Sequence, residues 1–288
     1  MFSEFEFNVV IGQSKGVLKG YHWGVESPKQ LVVIIHGIGE YAWRYDRVAK
    51  IFNEENVAVI SMDLRGHGKS FGKRGHTAPR LEILNDIDDL IIYSLDKYPG
   101  VPLVLYGHSM GGNMVLDYRG RGLLASRPSG FVVTAPWIRL VKPLPKPLAL
   151  AALILSKIAP STAFESKIDA LVLGNPKSVG EYKKDPLVHG KITAETAQDG
   201  FTVGKMLEEG RLYEAVLGKE KPMLLLHGKK DMVCSIEGTR MVVKHEDKNF
   251  TTYVELEGIY HEVHNGGDHS DGSEVILQIR DFICGIKQ

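Results

Sequence analysis

The sequence has no excess of either charge, few cysteines and no long hydrophobic run. Its 35 lysine and arginine residues balance 35 aspartate and glutamate residues, so no overall field attracts nucleic acid or an anionic membrane. A chain of 288 residues needs no disulfide to hold its core together, so the only two cysteines, Cys234 and Cys284, predict reduced thiols and a cytoplasmic protein. We therefore expect a small, uncharged substrate and no nucleic-acid partner.

Neither the N-terminus nor the most apolar window has the features of a membrane segment. The first residues, MFSEFEFNVVIG, carry glutamates where a secretory signal has positive charge and then an apolar run. The window LALAALIL, residues 148–155, is far shorter than the roughly 20 residues needed to cross a bilayer. The sequence predicts neither secretion nor a membrane span.

What the sequence does contain is an alternation of buried strands and helices. With 43% hydrophobic and 24% charged residues, the chain is globular and forms a sizeable core. Two short strand-like runs at the N-terminus predict a hairpin. Six further apolar runs suit strands buried on both faces: LVVIIHG, VAVISMD, VPLVLYG, GFVVTAP, KPMLLLHG and TTYVELEG. Helical patterns separate the first three runs, so we predict an α/β fold with a mostly parallel central sheet flanked by helices.

One interval, residues 137–205, breaks this alternation. It contains no convincing strand, and a proline-rich stretch, KPLPKP, precedes its apolar window. We predict a helical cap inserted between two parts of the core, residues 1–136 and 206–288, above the carboxyl ends of the strands where such sheets bind ligands. The apolar window is expected to line an acyl tunnel, to contact a lipid surface, or to form an ordinary buried helix face.

The stretch LVLYGHSMGGNMVLDY passes from strand to helix without a loop. The chain must therefore reverse within residues 107–111, where the pattern G-x-S-x-G places Ser109 at the reversal. Small flanking residues let two backbone segments approach closely, while a strained serine projects its hydroxyl above the sheet. This context predicts that Ser109 is a nucleophile. The alternative is a glycine-rich crossover with an incidental serine.

A serine hydroxyl needs a base that accepts its proton and an acid that orients the base. In chains with this turn the order is serine, acid, histidine, and Asp231 and His261 are the next candidates past strand ends. For Asp231 the alternative is a surface aspartate, and for His261 the rivals are His264 and His269. Three other histidines adjoin glycines at turns, where a structural hydrogen bond is the usual role: His36, His67 and His227.

Acyl transfer also requires donors for the oxyanion of the tetrahedral intermediate. One donor should be the amide of Met110, directly after the nucleophile, and the other the amide of Ile38, in the loop after the run LVVIIHG. Only the amide of Ile38 is used, so its side chain should matter little.

Two motifs that suggest other chemistry fail on their spacing. The stretch RGHGKS has Asp63 where a phosphate-binding loop requires its first glycine. In HEVH the second histidine follows the first by three residues, whereas zinc proteases require four. The sequence therefore predicts no nucleotide, metal or other cofactor.

Five motifs resemble those of monoacylglycerol lipases and related lysophospholipase-like serine hydrolases of the α/β-hydrolase fold: HGIGEYAWRY, DLRGHGKS, GHSMGG, LLLHGKKD and GIYHEVH. The resemblance covers nearly the whole chain and implies the same triad and oxyanion amides as above. It adds an alcohol-binding pocket, because Glu40, Arg44 and His264 match the polar cluster that recognises the glycerol hydroxyls in these lipases. The alternative for Glu40 and Arg44, four residues apart, is an ordinary salt bridge. Tyr41, where many relatives have histidine, and the glycine-rich tail after His264 depart from the family pattern.

The sequence thus predicts a serine hydrolase that cleaves carboxylic esters, foremost monoacylglycerols, through an acyl-enzyme. The alternatives are a lysophospholipase, a broad carboxylesterase, acyl transfer to an alcohol other than water, and a non-catalytic binding module. The expected partner is a small lipid ester, with transient contact between the cap and a membrane surface. Acyl-chain length and oligomeric state do not follow from the sequence.

Overall fold

A computed structural model describes residues 1–11, 14–77, 79–166, 168–180, 182–212 and 220–286. Within them the strands are β1 (Phe2–Ile11), β2 (Ser14–Trp23), β3 (Gln30–Ile35), β4 (Val57–Met62), β5 (Leu103–His108), β6 (Gly130–Thr134), β7 (Ala163–Glu165), β8 (Lys191–Thr193), β9 (Met223–Gly228) and β10 (Thr251–Leu256). The main sheet has the order β1-β2-β4-β3-β5-β6-β9-β10. Strands β1 and β2 pair antiparallel with each other, β2 pairs antiparallel with β4, and the remaining pairs are parallel.

The helices lie on both faces of this sheet and within the predicted cap. In the described residues they are α1 (Asp46–Asn53), α2 (Arg80–Lys97), α3 (Met110–Arg121), α4 (Lys146–Ile158), α5 (Pro176–Val179), α6 (Ala194–Glu208), α7 (Ile236–Val243) and α8 (Ser273–Gly285). Apolar residues of α2, α3, α6 and α7 form one buried cluster with one face of the sheet, and those of α1 and α8 form a second cluster with the other face.

The predicted parallel strands are confirmed, and β3 shows why the sequence of such a strand is apolar at every position. Leu31, Val33 and Ile35 enter the first cluster, whereas Val32 and Ile34 enter the second. Because successive side chains point to opposite faces, a strand covered on both sides needs apolar residues at every position. All six predicted runs form strands of the main sheet. The predicted N-terminal hairpin also forms, with strands of ten residues each rather than short ones.

The prediction that residues 137–205 contain no strand is wrong. Strands β7 and β8 pair antiparallel there, from Ala163 opposite Thr193 to Glu165 opposite Lys191. Each has three residues, too few for an alternating pattern to stand out from the sequence. Helix α6 continues past residue 205 to Glu208 and packs on α3 and α7. The division of the chain into core and cap stays a prediction.

Candidate active site

Ser109 lies between β5, which ends at His108, and α3, which begins at Met110. Its backbone φ is 54° and ψ is −115°, a left-handed conformation that is uncommon for a residue with a side chain. The structure therefore contains the strained strand-to-helix reversal that the sequence predicts. The reversal presents the serine hydroxyl at the carboxyl end of the central strand.

The two glycines of the motif are needed because backbone segments pass close to them. A Cβ atom on Gly107 would lie 2.3 Å from the carbonyl oxygen of Gly111, and one on Gly111 would lie 2.0 Å from that of Ile35. Such distances are well inside van der Waals contact, so any larger residue would force the turn apart. The spacing of the motif thus follows from the packing of α3 against β5 and β3.

The structure brings the three predicted triad residues into one chain of hydrogen bonds. The Nε2 atom of His261 lies 2.9 Å from the hydroxyl oxygen of Ser109, and its Nδ1 atom lies 2.7 Å from Oδ2 of Asp231. Asp231 follows the end of β9 and His261 follows the end of β10. All three side chains are buried. Parallel strands bring these distant residues to the same edge of the sheet.

Asp231 is held as an anion by its surroundings. Its Oδ1 atom accepts hydrogen bonds from the amides of Val233 and Cys234 at 2.7 and 2.9 Å. Burial alone would raise the pKa of this carboxyl, but His261 and His227 outweigh burial and hold the pKa well below its usual value. Burial would likewise lower the pKa of His261, but Asp231 outweighs it and raises the pKa. The pair is therefore suited to stabilise an imidazolium.

His227 is part of this arrangement, which the sequence analysis missed. It makes the expected structural hydrogen bonds, to the hydroxyl of Thr239 at 2.8 Å and the carbonyl of Cys234 at 3.1 Å. Its Nε2 atom also lies 3.1 Å from Oδ2 of Asp231. The only sequence signal is the separation of four residues, which places His227 in β9 just before the turn that carries Asp231.

Of the three candidate histidines for the base, His261 is the one bonded to Ser109. His264 is buried, and its ring lies 4.9 Å from that of Tyr45 and 5.3 Å from that of His108. His269 is exposed. The geometry favours His261 over both rivals.

The predicted oxyanion amides lie on the two sides of Ser109. Met110 is the first residue of α3, so its amide has no carbonyl partner within the helix. On the other side, the Gly37 amide donates to Oε1 of Glu40 at 2.6 Å, which fixes the turn that carries Ile38. A Cβ on Gly37 would lie 3.2 Å from Cβ of Ser109. This turn therefore lies directly against the nucleophile. The oxyanion role of both amides stays a prediction.

The predicted alcohol-binding residues gather in a buried polar cluster, which comprises Glu40, Arg44, Glu262 and His264. Nε of Arg44 lies 3.5 Å from Oε2 of Glu40, which matches the salt-bridge alternative. A closer contact comes from Glu262, whose two oxygens lie 3.0 and 2.8 Å from Nη2 of Arg44. Tyr45 joins the cluster, because its hydroxyl donates to Oε1 of Glu40 at 3.0 Å while its ring packs on His264.

Four buried polar atoms of this cluster make no hydrogen bond to any of the described residues: Oε2 of Glu40, Nε of Arg44, and both ring nitrogens of His264. Burial, with Glu262 nearby, raises the pKa of Glu40 to about 7. Burial, with Arg44 nearby, lowers the pKa of His264 to about 3, so this ring is neutral at physiological pH. The cluster therefore offers donors and acceptors that make no hydrogen bond within the described part of the chain, although Nε of Arg44 and Oε2 of Glu40 form an ion pair with each other.

Glu262 is the member of the cluster that the sequence analysis missed. It directly follows His261, and an acidic residue beside a histidine on a loop carries no recognisable signal. Its partner Arg44 is 218 positions away in the chain, so the pairing is visible only after folding.

An apolar cavity of about 410 Å³ opens from Ser109. Its wall includes Ile38, Cys234 and two residues of α4, Leu148 and Ala152. A smaller cavity, of about 270 Å³, borders Arg44 and carries Lys184 and Asp185 on its wall. The nucleophile thus borders the apolar cavity, whereas Arg44 of the polar cluster borders the smaller one.

Known proteins resemble this chain in sequence and in structure. Residues 26–268 match the family described as serine aminopeptidase, S33. The monoacylglycerol lipase of Mycolicibacterium smegmatis is 33% identical over 242 residues, 83% of each chain. The monoglyceride lipase of Homo sapiens is 30% identical over 247 residues, 83% of this chain and 77% of the human one. The crystal structure of a Paleococcus ferrophilus monoacylglycerol lipase superposes with a TM-score of 0.81 at 29% identity and covers 94% of this chain and 99% of that one. The predicted α/β-hydrolase fold is thereby confirmed.

Proposed function

The chain belongs to the serine aminopeptidase S33 family of α/β-hydrolases, and within that family we propose that it cleaves monoacylglycerols to a fatty acid and glycerol. It is a monoacylglycerol lipase-like hydrolase of the lipase and esterase group. The finer assignment of its substrate is supported by the apolar cavity at Ser109 and by the polar cluster, whose Glu40 binds the turn beside Ser109.

The proposed reaction proceeds in two halves. Ser109 Oγ attacks the ester carbonyl while Nε2 of His261 accepts its proton, and Asp231 stabilises the imidazolium. The amides of Ile38 and Met110 donate to the oxyanion. The tetrahedral intermediate collapses, the bond to the alcohol oxygen breaks, and His261 returns the proton to that oxygen. Water then attacks the acyl-enzyme with His261 again as base, which releases the fatty acid and restores Ser109. Apart from the substrate and water, every group used in this scheme belongs to the protein's own residues.

The choice of glycerol as the alcohol rests on the four polar atoms of the cluster that make no hydrogen bond to the described residues. Buried polar groups without a partner cost free energy, and a bound hydroxyl that both donates and accepts removes this cost. Two vicinal hydroxyls of glycerol match a carboxylate oxygen, a guanidinium N–H and an imidazole. An alcohol without such hydroxyls would leave these atoms unpaired and so bind less well.

Substitution of His264 by leucine tests this assignment. The variant should lower kcat/KM for a monoacylglycerol about 10- to 100-fold, the cost of one or two lost buried hydrogen bonds. The methyl ester of the same acid has no hydroxyls to lose, so its rate should change far less. Initial rates on both esters, with one acyl chain throughout, give the comparison. Equal losses on both would reduce His264 to a structural role, and equal wild-type rates on both would refute the choice of glycerol.

The apolar cavity supports a fatty acyl chain as the other half of the substrate. Leu148 and Ala152 of α4 lie on its wall with Ile38, beside Ser109. They are four residues apart and so share one face of the helix. The acyl chain therefore packs against the cap in this proposal. The expectation of an ordinary buried helix face is wrong, since Ala152 is the only buried residue of α4.

The opposite face of α4 supports transient contact with a lipid surface. Leu150 and Ile154 lie two positions beyond Leu148 and Ala152, hence about 200° around the helix. They are 58% and 50% exposed. Lys146 and Lys157 lie near the two ends of the helix, where their charges reach lipid headgroups. Among the described residues, no helix has both the length and the apolarity to span a bilayer.

A double variant, Leu150→Glu with Ile154→Glu, should weaken binding to phosphatidylcholine vesicles at least about 10-fold. Full burial of each apolar side chain contributes roughly 1.5–3 kcal/mol to the free energy of binding. Hydrolysis of a water-soluble short-chain ester should stay unchanged. Co-sedimentation with vesicles measures the binding. Leu81→Glu is the matched control, since Leu81 is 67% exposed on α2, outside the cap. Equal vesicle binding by the double variant and the wild type would refute the lipid contact.

We also propose a cytoplasmic location, which the state of the cysteines supports. Both Cys234 and Cys284 are free, as is usual in a reducing compartment. Cys234 lies on the wall of the apolar cavity. Burial raises the pKa of its thiol and keeps it protonated at neutral pH.

A further inference from the structure

Glu262 has no assigned part in the reaction, although it makes the closest contacts to the guanidinium of the polar cluster. Both of its oxygens lie within 3.0 Å of Nη2 of Arg44. The side chains of Arg44 and Glu262 are only 10% and 4% exposed. The pair is therefore shielded from water, which strengthens their interaction and makes an unpaired charge there costly.

Glu262 is also fixed in position by contacts that are independent of Arg44. Its Oε2 atom accepts from the side-chain amide of Asn265 at 2.6 Å. Its backbone amide donates to the carbonyl of Leu173 in the cap at 2.6 Å, and its own carbonyl accepts from the Asn265 amide at 2.7 Å. The backbone bonds fix the position of residue 262, and the carboxylate does not turn away from Arg44 without breaking its buried hydrogen bond from Asn265.

The charges of the polar cluster do not add up to a net positive charge. The positive charge of Arg44 and the negative charge of Glu262 cancel, and His264 is neutral. Glu40 adds a negative charge to the extent that it is ionised. Arg47, beyond the cluster, donates to the backbone carbonyls of His264 and Asp271. On the neighbouring cavity wall, Lys184 and Asp185 carry opposite charges. Among the described side chains, an anionic alcohol would meet no surplus of cationic charge on entering this site.

We propose that Glu262 determines which alcohol the enzyme accepts. Its carboxylate pairs with the Arg44 guanidinium and thereby excludes esters whose alcohol carries a phosphate. The inference rests on the alcohol site proposed above. Arg44 by itself would attract phosphate, because a guanidinium binds phosphate oxygens through paired N–H donors. With Glu262 beside it, the Arg44 charge is neutralised and its Nη2 atom is occupied. Neutral hydroxyls still find Nε of Arg44 and Oε2 of Glu40.

Glu262 is a better target than Glu40 for testing this idea. Glu40 also binds the Gly37 amide in the turn beside Ser109, so its loss would disturb the proposed oxyanion site. Glutamine at position 262 keeps the shape of the side chain, and its amide oxygen still accepts from Arg44. The amide of Asn265 can be turned so that its oxygen accepts from the new amide group.

The experiment compares Glu262→Gln with the wild type on three octanoyl esters: 1-octanoylglycerol, its 3-phosphate, and methyl octanoate. The ratio of kcat/KM for the phosphate ester to that for octanoylglycerol should rise at least about 10-fold in the variant, because like-charge contacts across a dry site cost several kcal/mol. The methyl ester rate should change little. Glu257→Gln is the control: it removes one carboxylate that is 79% exposed and paired with Lys229.

The outcomes separate this inference from the proposed function. An unchanged ratio in Glu262→Gln, with octanoylglycerol still the preferred wild-type substrate, overturns the role of Glu262 alone. Equal wild-type rates on octanoylglycerol and methyl octanoate overturn the alcohol site itself. A second measurement needs no variant, namely inhibition of wild-type methyl octanoate hydrolysis by glycerol and by glycerol 1-phosphate at equal ionic strength. Weaker inhibition by the phosphate is expected, and equal or stronger inhibition by it contradicts the inference.

Discussion

Replacement of Ser109 by alanine is expected to abolish ester hydrolysis, with kcat/KM falling at least about 10,000-fold, as when a triad nucleophile is removed. The expected loss is large because Oγ of Ser109 is the group hydrogen-bonded to Nε2 of His261. Alanine keeps the backbone contacts of the turn, in which the Ser109 amide donates to Thr134 and its carbonyl accepts from Asn113 and Trp137. Any remaining rate would come from the proposed oxyanion amides and from substrate binding.

Steady-state rates on a monoacylglycerol and on the methyl ester of the same acid measure this loss. Labelling by a fluorophosphonate, which modifies activated serines, should disappear in parallel. Ser126→Ala is the matched control, because Ser126 is exposed on the surface. Thermal unfolding should show that the Ser109 variant remains folded. Activity within 100-fold of the wild type in a folded variant would remove Ser109 from the proposed mechanism and reopen the possibility of an incidental serine at a glycine-rich crossover.

The features that the sequence predicted are those encoded by neighbouring residues. The strand β5, the turn at Ser109 and the helix α3 follow from sixteen consecutive residues, residues 103–118. The turn needs glycine at positions 107 and 111 because carbonyl oxygens lie where side chains would be. The sequence selected Asp231 and His261 as candidates because each follows a strand, and parallel strands have their carboxyl ends at the same edge of a sheet. Chain order and strand ends were therefore enough to select them.

The features that the sequence did not predict depend on contacts that exist only in the folded chain. Glu262 and Arg44 are 218 positions apart. His227 and Asp231 are only four residues apart, but their contact depends on the turn that follows β9. Strands β7 and β8 have three residues each, too few for a recognisable pattern, and their pairing is visible only in the folded chain. The sequence likewise gave three alternatives for the apolar window, because composition does not tell which face of α4 meets the cavity. Leu148 and Leu150 are similar residues with different surroundings.

One residue connects the two halves of the proposed site. Glu40 binds the Gly37 amide through Oε1 and directs Oε2 toward Arg44. The same side chain thus fixes the turn that carries Ile38 and contributes to the polar cluster. A substitution at Glu40 is therefore expected to affect every ester, whereas substitutions at Glu262 and His264 distinguish between alcohols. This difference makes the latter two residues the informative ones for substrate choice.

Substitution of Asp231 by asparagine is expected to lower kcat about 10,000-fold while leaving the fold intact. The structure gives a specific reason. The amides of Val233 and Cys234 both donate to Oδ1, so an asparagine must direct its carbonyl oxygen to them and its NH2 group toward His261. That NH2 group would donate to Nδ1 of His261 and so place the ring proton on Nε2. A protonated Nε2 does not accept the proton of Ser109.

The pH dependence of the same variant gives a second test. The pKa of His261 is raised chiefly by Asp231 against the opposing effect of burial. Because the base must be neutral, wild-type kcat/KM should fall as the pH drops through this raised pKa, which lies above the ordinary value of about 6.5. In Asp231→Asn the acid limb should move to lower pH. Asp268→Asn, which removes a carboxylate paired with Lys230 outside the site, should leave rate and profile unchanged. A loss below about 100-fold, or an acid limb that does not move, would mean that Asp231 does not orient and charge-stabilise His261.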